Sequence, residues 1–268
     1  MTNHHETDKI TIAILAKDKE HLLPYYLQCI ENQTYPASKI KLYIRTNNNV
    51  DQTANVLKKW INKVAHRYDE IFYDDSDVNA KVEQYKPHEW NALRFQVLGK
   101  IRQDSIAWAN QKHTHYFTVD CDNFIIPNTL QRMYDTLLPV VGPFMKHDDA
   151  TSSYSNYHFA TCANGYFVDH PFYYKIQQQE IKGLIQVDVV HCAYFIRHNI
   201  LQHITYLDNT ERHEYVIFSD RLRKRKIKQY IDNRVVYGLI TFCTQKEKCN
   251  VHVLHTLQSM IGHSLSKD

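Results

Sequence analysis

Glycine is scarce in this 268-residue chain: six are present (Gly99, Gly142, Gly165, Gly183, Gly238, Gly262), and no two lie close enough to build a phosphate-cradling loop. That excludes a P-loop and a Gly-x-Gly-x-x-Gly dinucleotide turn, whose backbones must approach phosphate closely. Cysteine is equally sparse. Cys29, Cys121, Cys162, Cys192, Cys243 and Cys249 stand singly, without Cys-x-x-Cys or a paired Cys/His spacing for zinc, and read as reduced, mostly buried thiols. No apolar run reaches the length of a membrane span, and Met1 to Asp8 is polar rather than a leader, so the expectation is a cytoplasmic chain with no membrane partner. Charge of one sign is lacking too, with a formal net of +3. The one basic cluster (Arg221, Arg223, Lys224, Arg225, Lys226, Lys228) has no interleaved aromatics and reads as a solvated helix face, against a nucleic-acid partner. Linkers, repeats and low-complexity tracts are missing as well. A single domain over 1–268 is expected, with 1–9 flexible and 211–268 helical or irregular.

What is present is an apolar strand-like run, His115-Tyr116-Phe117-Thr118-Val119, ending in Asp120-Cys121-Asp122-Asn123. Side chains alternate along a strand, so Asp120 and Asp122 emerge on the same side at its carboxyl end, where open α/β sheets place ligands. A lone Asp-x-Asp is usually a solvated turn or a helix cap; here a strand precedes it and a helix over 129–138 follows. Two hard anionic oxygens suit Mn²⁺ or Mg²⁺, with water and substrate phosphate filling the other positions. Without a glycine loop, such a cation is the means left to neutralise a diphosphate.

Strands alternate with helices through the first half, the pattern of a mostly parallel sheet covered on both faces. Strands are predicted at 10–16, 40–46 and 71–73, and helices at 22–33, from Asp51 or Thr53 to 66, and from Pro87 to 110. In the last, Trp90, Leu93, Val97, Ile101 and Trp108 fall near helical spacing. Further strands are expected at 140–145, 157–168 and 185–196, the last broken near His191, with a helix at 211–226.

Several segments carry a family pattern in chain order. The first group is Ala16-Lys17, His21-x-Leu23-Pro24-Tyr25-Tyr26-Leu27, Tyr35-Pro36 and Thr46-Asn47-Asn48-Asn49-Val50-Asp51-x-Thr53. Trp90 with Arg94 and Asp120-Cys121-Asp122-Asn123 follow, then Tyr154-Ser155-Asn156, Gly165-Tyr166, Val190-His191 and Tyr237-Gly238. Together they resemble the collagen hydroxylysine glycosyltransferases, in the amino-terminal domain of the procollagen galactosyltransferases. The resemblance spans nearly the whole chain and implies a GT-A, nucleotide-diphospho-sugar transferase fold with a Rossmann-like central sheet.

The resemblance also implies roles. Asn47 and Asn49 would hold uracil or ribose through amides that both donate and accept, with Ala16, Thr46 and Cys121 in the same donor site. Arg94 would pair with the pyrophosphate through its charged fork. Asp120 and Asp122 would hold the cation, with a carboxyl-terminal histidine, His255 in preference to His252, as third ligand. Family members carry Asp-Asp where this chain has His213-Glu214, and a second transferase domain that this chain lacks. Glu214 can still serve as a base, and His191 and Asn156 are acceptor-side candidates, His191 also as a catalytic group. The implied activity is transfer of a hexose from a UDP-sugar to a collagen-like polypeptide. Glucose onto galactosyl-hydroxylysine is favoured over galactose onto hydroxylysine, because a retaining transfer tolerates the altered acidic pair. A catalytically silent collagen-binding or scaffolding domain is the alternative from another class, and a nucleotidyltransferase is a third. Tyrosine-rich stretches suggest a homodimer.

Overall fold

β1 (Ile10–Ala16) reads Ile-Thr-Ile-Ala-Ile-Leu-Ala and is buried on both faces, as a central parallel strand must be. The computed structural model describes residues 8–78 and 91–243. After β1 come α1 (Leu23–Glu31), β2 (Ile40–Thr46), α2 (Thr53–Val64), β3 (Glu70–Asp74), α3 (Ala92–Gln111), β4 (His115–Val119), β5 (Asn123–Ile125) and α4 (Thr129–Asp135). Next are β6 (Val140–Pro143), β7 (Met145–His147), β8 (Tyr157–His158), β9 (Ala160–Thr161), β10 (Phe167–Val168), α5 (Pro171–Gln177), β11 (Leu184–Val187) and β12 (Val189–Val190). β13 (Ala193–Ile196), α6 (His198–Leu201), α7 (Glu214–Lys224), β14 (Gln229–Asp232) and β15 (Gly238–Ile240) complete the order.

Eight strands form the main sheet in the order β11-β14-β6-β13-β4-β1-β2-β3. β3, β2, β1 and β4 run parallel, whereas β13 lies antiparallel between β4 and β6. Alternate β1 side chains feed opposite layers: Ile12 belongs to the core cluster that includes Leu27 of α1 and Trp60 of α2, and Ala13 to the one that includes Ile106 of α3 and Phe218 of α7. The sheet is thus covered on both faces. In register, Ala16 pairs with Thr46 and Ala13 with Thr118, so the ends of β1, β2 and β4 present their following loops along one edge.

β1 and β2 have the predicted bounds, but other expectations change. The span 157–168 breaks into three two-residue strands, and 229–232, expected to be irregular, is β14 inside the main sheet. Residues 8 and 9 of the expected flexible start are tied down, with the Lys9 carbonyl accepting from His115 N at 2.9 Å. α3 begins after Asn91, whose side chain accepts from Arg94 N; Pro87 and Trp90 lie outside the described residues. Its buried face is Phe95, Gly99, Arg102, Ile106 and Ala109, while Leu93, Val97, Ile101 and Trp108 are only half-buried. The basic cluster on and after α7 is a solvated face. Cys243 is disulfide-bonded, against the expectation of six reduced thiols, and Cys29, Cys121, Cys162 and Cys192 are free. No described helix is long and apolar enough to cross a membrane.

β15 joins β5 and β7 in a small sheet and delivers Thr241 to the site, where its N donates to Asp122 O at 3.0 Å. A Cβ at Gly238 would lie 2.0 Å from Phe124 O, so backbone would have to move. Gly238→Ala should cost about 1–3 kcal/mol, the range for overpacking. A urea midpoint unchanged from the unmodified chain would contradict that close approach.

Candidate active site at the sheet edge

The loops after β1 and β2 are stitched to each other by their own polar groups. Asp18, at φ 51°, accepts from Val50 N through Oδ1 at 2.8 Å, and its own N donates to Asn49 Oδ1 at 3.0 Å. Lys19 N donates to Thr53 Oγ1 (2.7 Å), and Glu20 N to Asp51 Oδ2 (3.0 Å). Asp51 and Thr53 therefore spend their side chains largely on this cross-loop lattice; the N-cap of α2 is Gln52, without a side-chain cap. Asn49 Nδ2 donates to Thr46 Oγ1 and Asn47 Nδ2 to Asn48 Oδ1, both asparagines lying on the β2 side of the edge.

Beside these loops stand the two carboxylates, each facing a cation of the protein. Arg102 Nη2 donates to Asp120 Oδ1 at 2.7 Å, and Lys19 Nζ to Asp122 Oδ2 at 2.8 Å. Each bond engages one carboxylate oxygen. Arg102 also lies 3.4 Å through Nε from Glu214 Oε1, the first residue of α7, so one buried guanidinium serves two acids. Burial pushes the Asp120 carboxyl above its ordinary value, Arg102 opposes this, and the neighbouring Asp122 charge adds to it. Burial likewise raises Glu214 against the pull of Arg102.

Between β4, β13 and the start of α7 lies a pocket of about 230 Å³, lined by Leu98, Arg102, Asp120, Tyr154, His191, Cys192, Tyr194, His213, Glu214 and Tyr215. Cys192, at φ 62°, kinks the chain between β12 and β13, and its carbonyl accepts from Asp120 N at 2.8 Å. That kink turns His191 into the pocket. Its Nδ1 meets Cys192 Sγ at 2.9 Å, its ring packs 5.1 Å from His158 and 5.2 Å from Tyr215, and burial holds the imidazole well below its usual value, hence neutral. His191 Nε2 and Arg102 Nη1 are buried with no hydrogen-bond partner among the described residues. Such orphaned donors and acceptors mark where a polar ligand would complete the site.

The structure thus brings together Asp120, Asp122, Glu214 and His191, with Ala16, Thr46, Asn47, Asn49 and Cys121 along the same edge; the Cys121 thiol donates to Leu15 O. Arg94 sits in the first turn of α3. His255 lies outside the described residues. Asn156 corrects the acceptor expectation: fully buried, its amide accepts from Met145 N and donates to Pro143 O and Ala193 O, and an amide so committed holds the fold. Sequence reasoning missed Arg102 and Lys19. Arg102 was findable, as a charged residue at the core spacing of Phe95, Gly99, Ile106 and Ala109; Lys19 had no such signal.

Removing the shared cation should be costly. Arg102→Met leaves the buried Glu214 and the partly exposed Asp120 uncompensated and should lower stability by about 3–5 kcal/mol in a urea titration; a loss under about 1 kcal/mol would contradict the pairing. A pH effect follows from the histidines. Burial lowers His158 from 6.5 to about 4. The unfolded chain takes up that proton first, so this stability is complete above about pH 6.5 and is lost as pH falls towards 4. The raised Asp120 and Glu214 act oppositely, fading as pH rises through their folded values. His158→Phe should therefore show a smaller drop in thermal midpoint between about pH 7 and about pH 4.5 than the unmodified chain; an equal drop would count against it.

The chain is 25% identical over 245 residues to human procollagen galactosyltransferase 2, covering 88% of this chain and 39% of that one. It is 29% identical over 190 residues to the mouse inactive glycosyltransferase 25 family member 3, covering 70% and 32%. The chain therefore spans about a third to two fifths of these relatives' length. Among solved structures, S. aureus TarS 1-349 in complex with UDP-GlcNAc aligns over 97% of this chain and 67% of that one (TM-score 0.57, 13% identity). The mannosyltransferase PcManGT from Pyrobaculum calidifontis, in complex with GDP-Man and Mn²⁺, aligns over 97% and 64% (TM-score 0.54, 12% identity). The fold is that of the GT-A glycosyltransferases. The model of the glycosyltransferase family 25 N-terminal domain matches residues 7–261, so the chain belongs to that family.

Proposed function

We propose that this chain transfers a hexose from a UDP-sugar to a collagen-like polypeptide, with Mn²⁺ or Mg²⁺ held at Asp120 and Asp122. The observation that carries the reading is the carboxylate pair at the sheet edge, next to a pocket with unpartnered buried Arg102 Nη1 and His191 Nε2. The donor set fits such a cation: two hard carboxylates, each with one oxygen engaged by the protein, suit an ion that completes its shell with water and diphosphate. Among the described residues no group of three or more His, Cys, Asp or Glu side chains is arranged to hold a metal, which leaves those positions to the nucleotide or to residues beyond them. When bound, the cation stabilises negative charge growing on the departing UDP.

The chain's own groups do the rest. On this reading Asn47 and Asn49 would hold the uridine, with Ala16, Thr46 and Cys121 in the same donor site, and Arg94 would pair with the pyrophosphate. Arg102 holds Asp120 and Glu214 in place and offers Nη1 to the transferred sugar. Neutral His191 gives or accepts one hydrogen bond there. Glu214, its proton affinity raised by burial, is the acid-base group of the pocket. Glucose is the proposed sugar and galactosyl-hydroxylysine the acceptor, since His213-Glu214 replaces the acidic pair of the galactosyltransferase pattern. The names of the human relative and of the UDP-GlcNAc and GDP-Man neighbours support the sugar-nucleotide class.

A silent collagen-binding domain is the competing reading, favoured by the similarity to a relative named inactive and by the protein cations already facing both aspartates. Under the proposed function, UDP with Mn²⁺ raises the thermal midpoint, because a ligand of the folded state must stabilise it. Purified chain supplied with Mn²⁺ and a galactosyl-hydroxylysine peptide should consume UDP-glucose faster than UDP-galactose. Asp120→Asn and Asp122→Asn should each lower turnover at least about a hundredfold. Turnover surviving both substitutions would remove the metal site, and preference for UDP-galactose would reverse the choice of sugar.

A further inference from the structure

Lys19 is held with more care than a solvated lysine needs. Its backbone N is fixed to Thr53 Oγ1 at 2.7 Å, and the residue before it takes the left-handed φ of 51° while clamping Val50 N and Lys17. The following residue is fixed as well, Glu20 N donating to Asp51 Oδ2. From this rigid turn the side chain crosses to β4's loop, where Nζ meets Asp122 Oδ2 at 2.8 Å, the two side chains 25% and 26% exposed. A pair three-quarters withdrawn from water is screened less than a surface one, so the ammonium carries real weight in the field of the site.

The charges around it are few. Asp120 is already answered by Arg102, which also faces Glu214, so Asp122 is the acid that Lys19 alone answers among the described ion pairs. A divalent ion on Asp122 would stand beside a fixed positive charge, and like charges at that separation repel. A diphosphate arriving with the ion brings the negative charge that removes the conflict. An ammonium on a flexible four-carbon stem can turn from one anion to another, which a guanidinium fork does less readily.

We propose that Lys19 is a resident cation of the donor site: it holds Asp122 while no metal is bound, opposes metal binding on its own, and becomes a ligand of the diphosphate when metal and nucleotide bind together. This rests on the donor-site reading above. It makes binding of the metal and of the sugar nucleotide mutually dependent, because each removes the charge conflict the other would face.

The test uses the full chain with Lys19→Gln and Lys19→Arg, checked for an unchanged melting profile. Free Mn²⁺ is counted by electron paramagnetic resonance without nucleotide, and UDP affinity is measured by calorimetry at saturating Mn²⁺. Lys19→Gln should tighten Mn²⁺ binding by about fivefold, the scale of one partly screened ion pair, and weaken UDP binding by a similar factor. Lys19→Arg, keeping the charge, should stay near the unmodified chain in Mn²⁺ affinity. Opposite shifts of the two affinities are what a merely structural lysine would not produce. Unchanged or weakened Mn²⁺ binding in Lys19→Gln overturns the inference while leaving the donor site standing. Failure of every protein to bind Mn²⁺ even with UDP, with Asp122→Asn indistinguishable from the unmodified chain, overturns both.

Discussion

Acids placed side by side at the rim of a sheet repel each other and lose hydration, so Asp120, Asp122 and Glu214 can share one site only if positive charge is built in with them. Arg102 and Lys19 supply it, one from the buried face of α3 and one from the β1–α1 loop. Much of the site's architecture serves to aim these two side chains. The interlocked loops fix Lys19, and the helix that carries Arg102 lies against the start of α7.

Two backbone features make that arrangement reachable. A Cβ at Gly99 would fall 2.8 Å from Leu207 Cδ2 and 2.9 Å from Tyr206 O, so a bare Cα lets α3 pack against the segment that leads into α7. On the other side, the left-handed turn at Cys192 breaks what would be one strand into β12 and β13 and ties its carbonyl to Asp120 N. The same turn presents His191 to the pocket. Backbone geometry, side-chain charge and the open cavity are therefore one construction, with the unpartnered atoms of Arg102 and His191 pointing to what would fill it.

Much of this was legible in the sequence where local pattern decides. β1 is a continuous apolar run and β2 stops at Asn47-Asn48-Asn49, and both have the bounds read from the sequence. Asp120 and Asp122 were visible as acids after a buried strand. What stayed hidden depends on contacts distant in sequence. Lys19 meets Asp122 across 103 residues, and β14 is a strand because it pairs with β6 and β11, not because of its own short run. The apolar stripe of Leu93, Val97 and Ile101 is not the buried face of α3, and that face carries Arg102, whose own burial rests on its ion pairs rather than on hydrophobicity. Asn156 resembled a ligand-side residue by its motif, and only its three backbone bonds show that it is part of the frame.

The central claim is that the carboxylates at this edge, balanced by protein cations when alone, hold a divalent ion against a nucleotide diphosphate. Anomalous diffraction at the manganese edge, from crystals grown with UDP and Mn²⁺, tests it directly. The account expects one strong peak at about 2.0–2.2 Å from oxygens of Asp120 or Asp122 and from the diphosphate, near the coordination distance of a small hard cation. A nucleotide bound elsewhere, or a peak away from both aspartates, would contradict it.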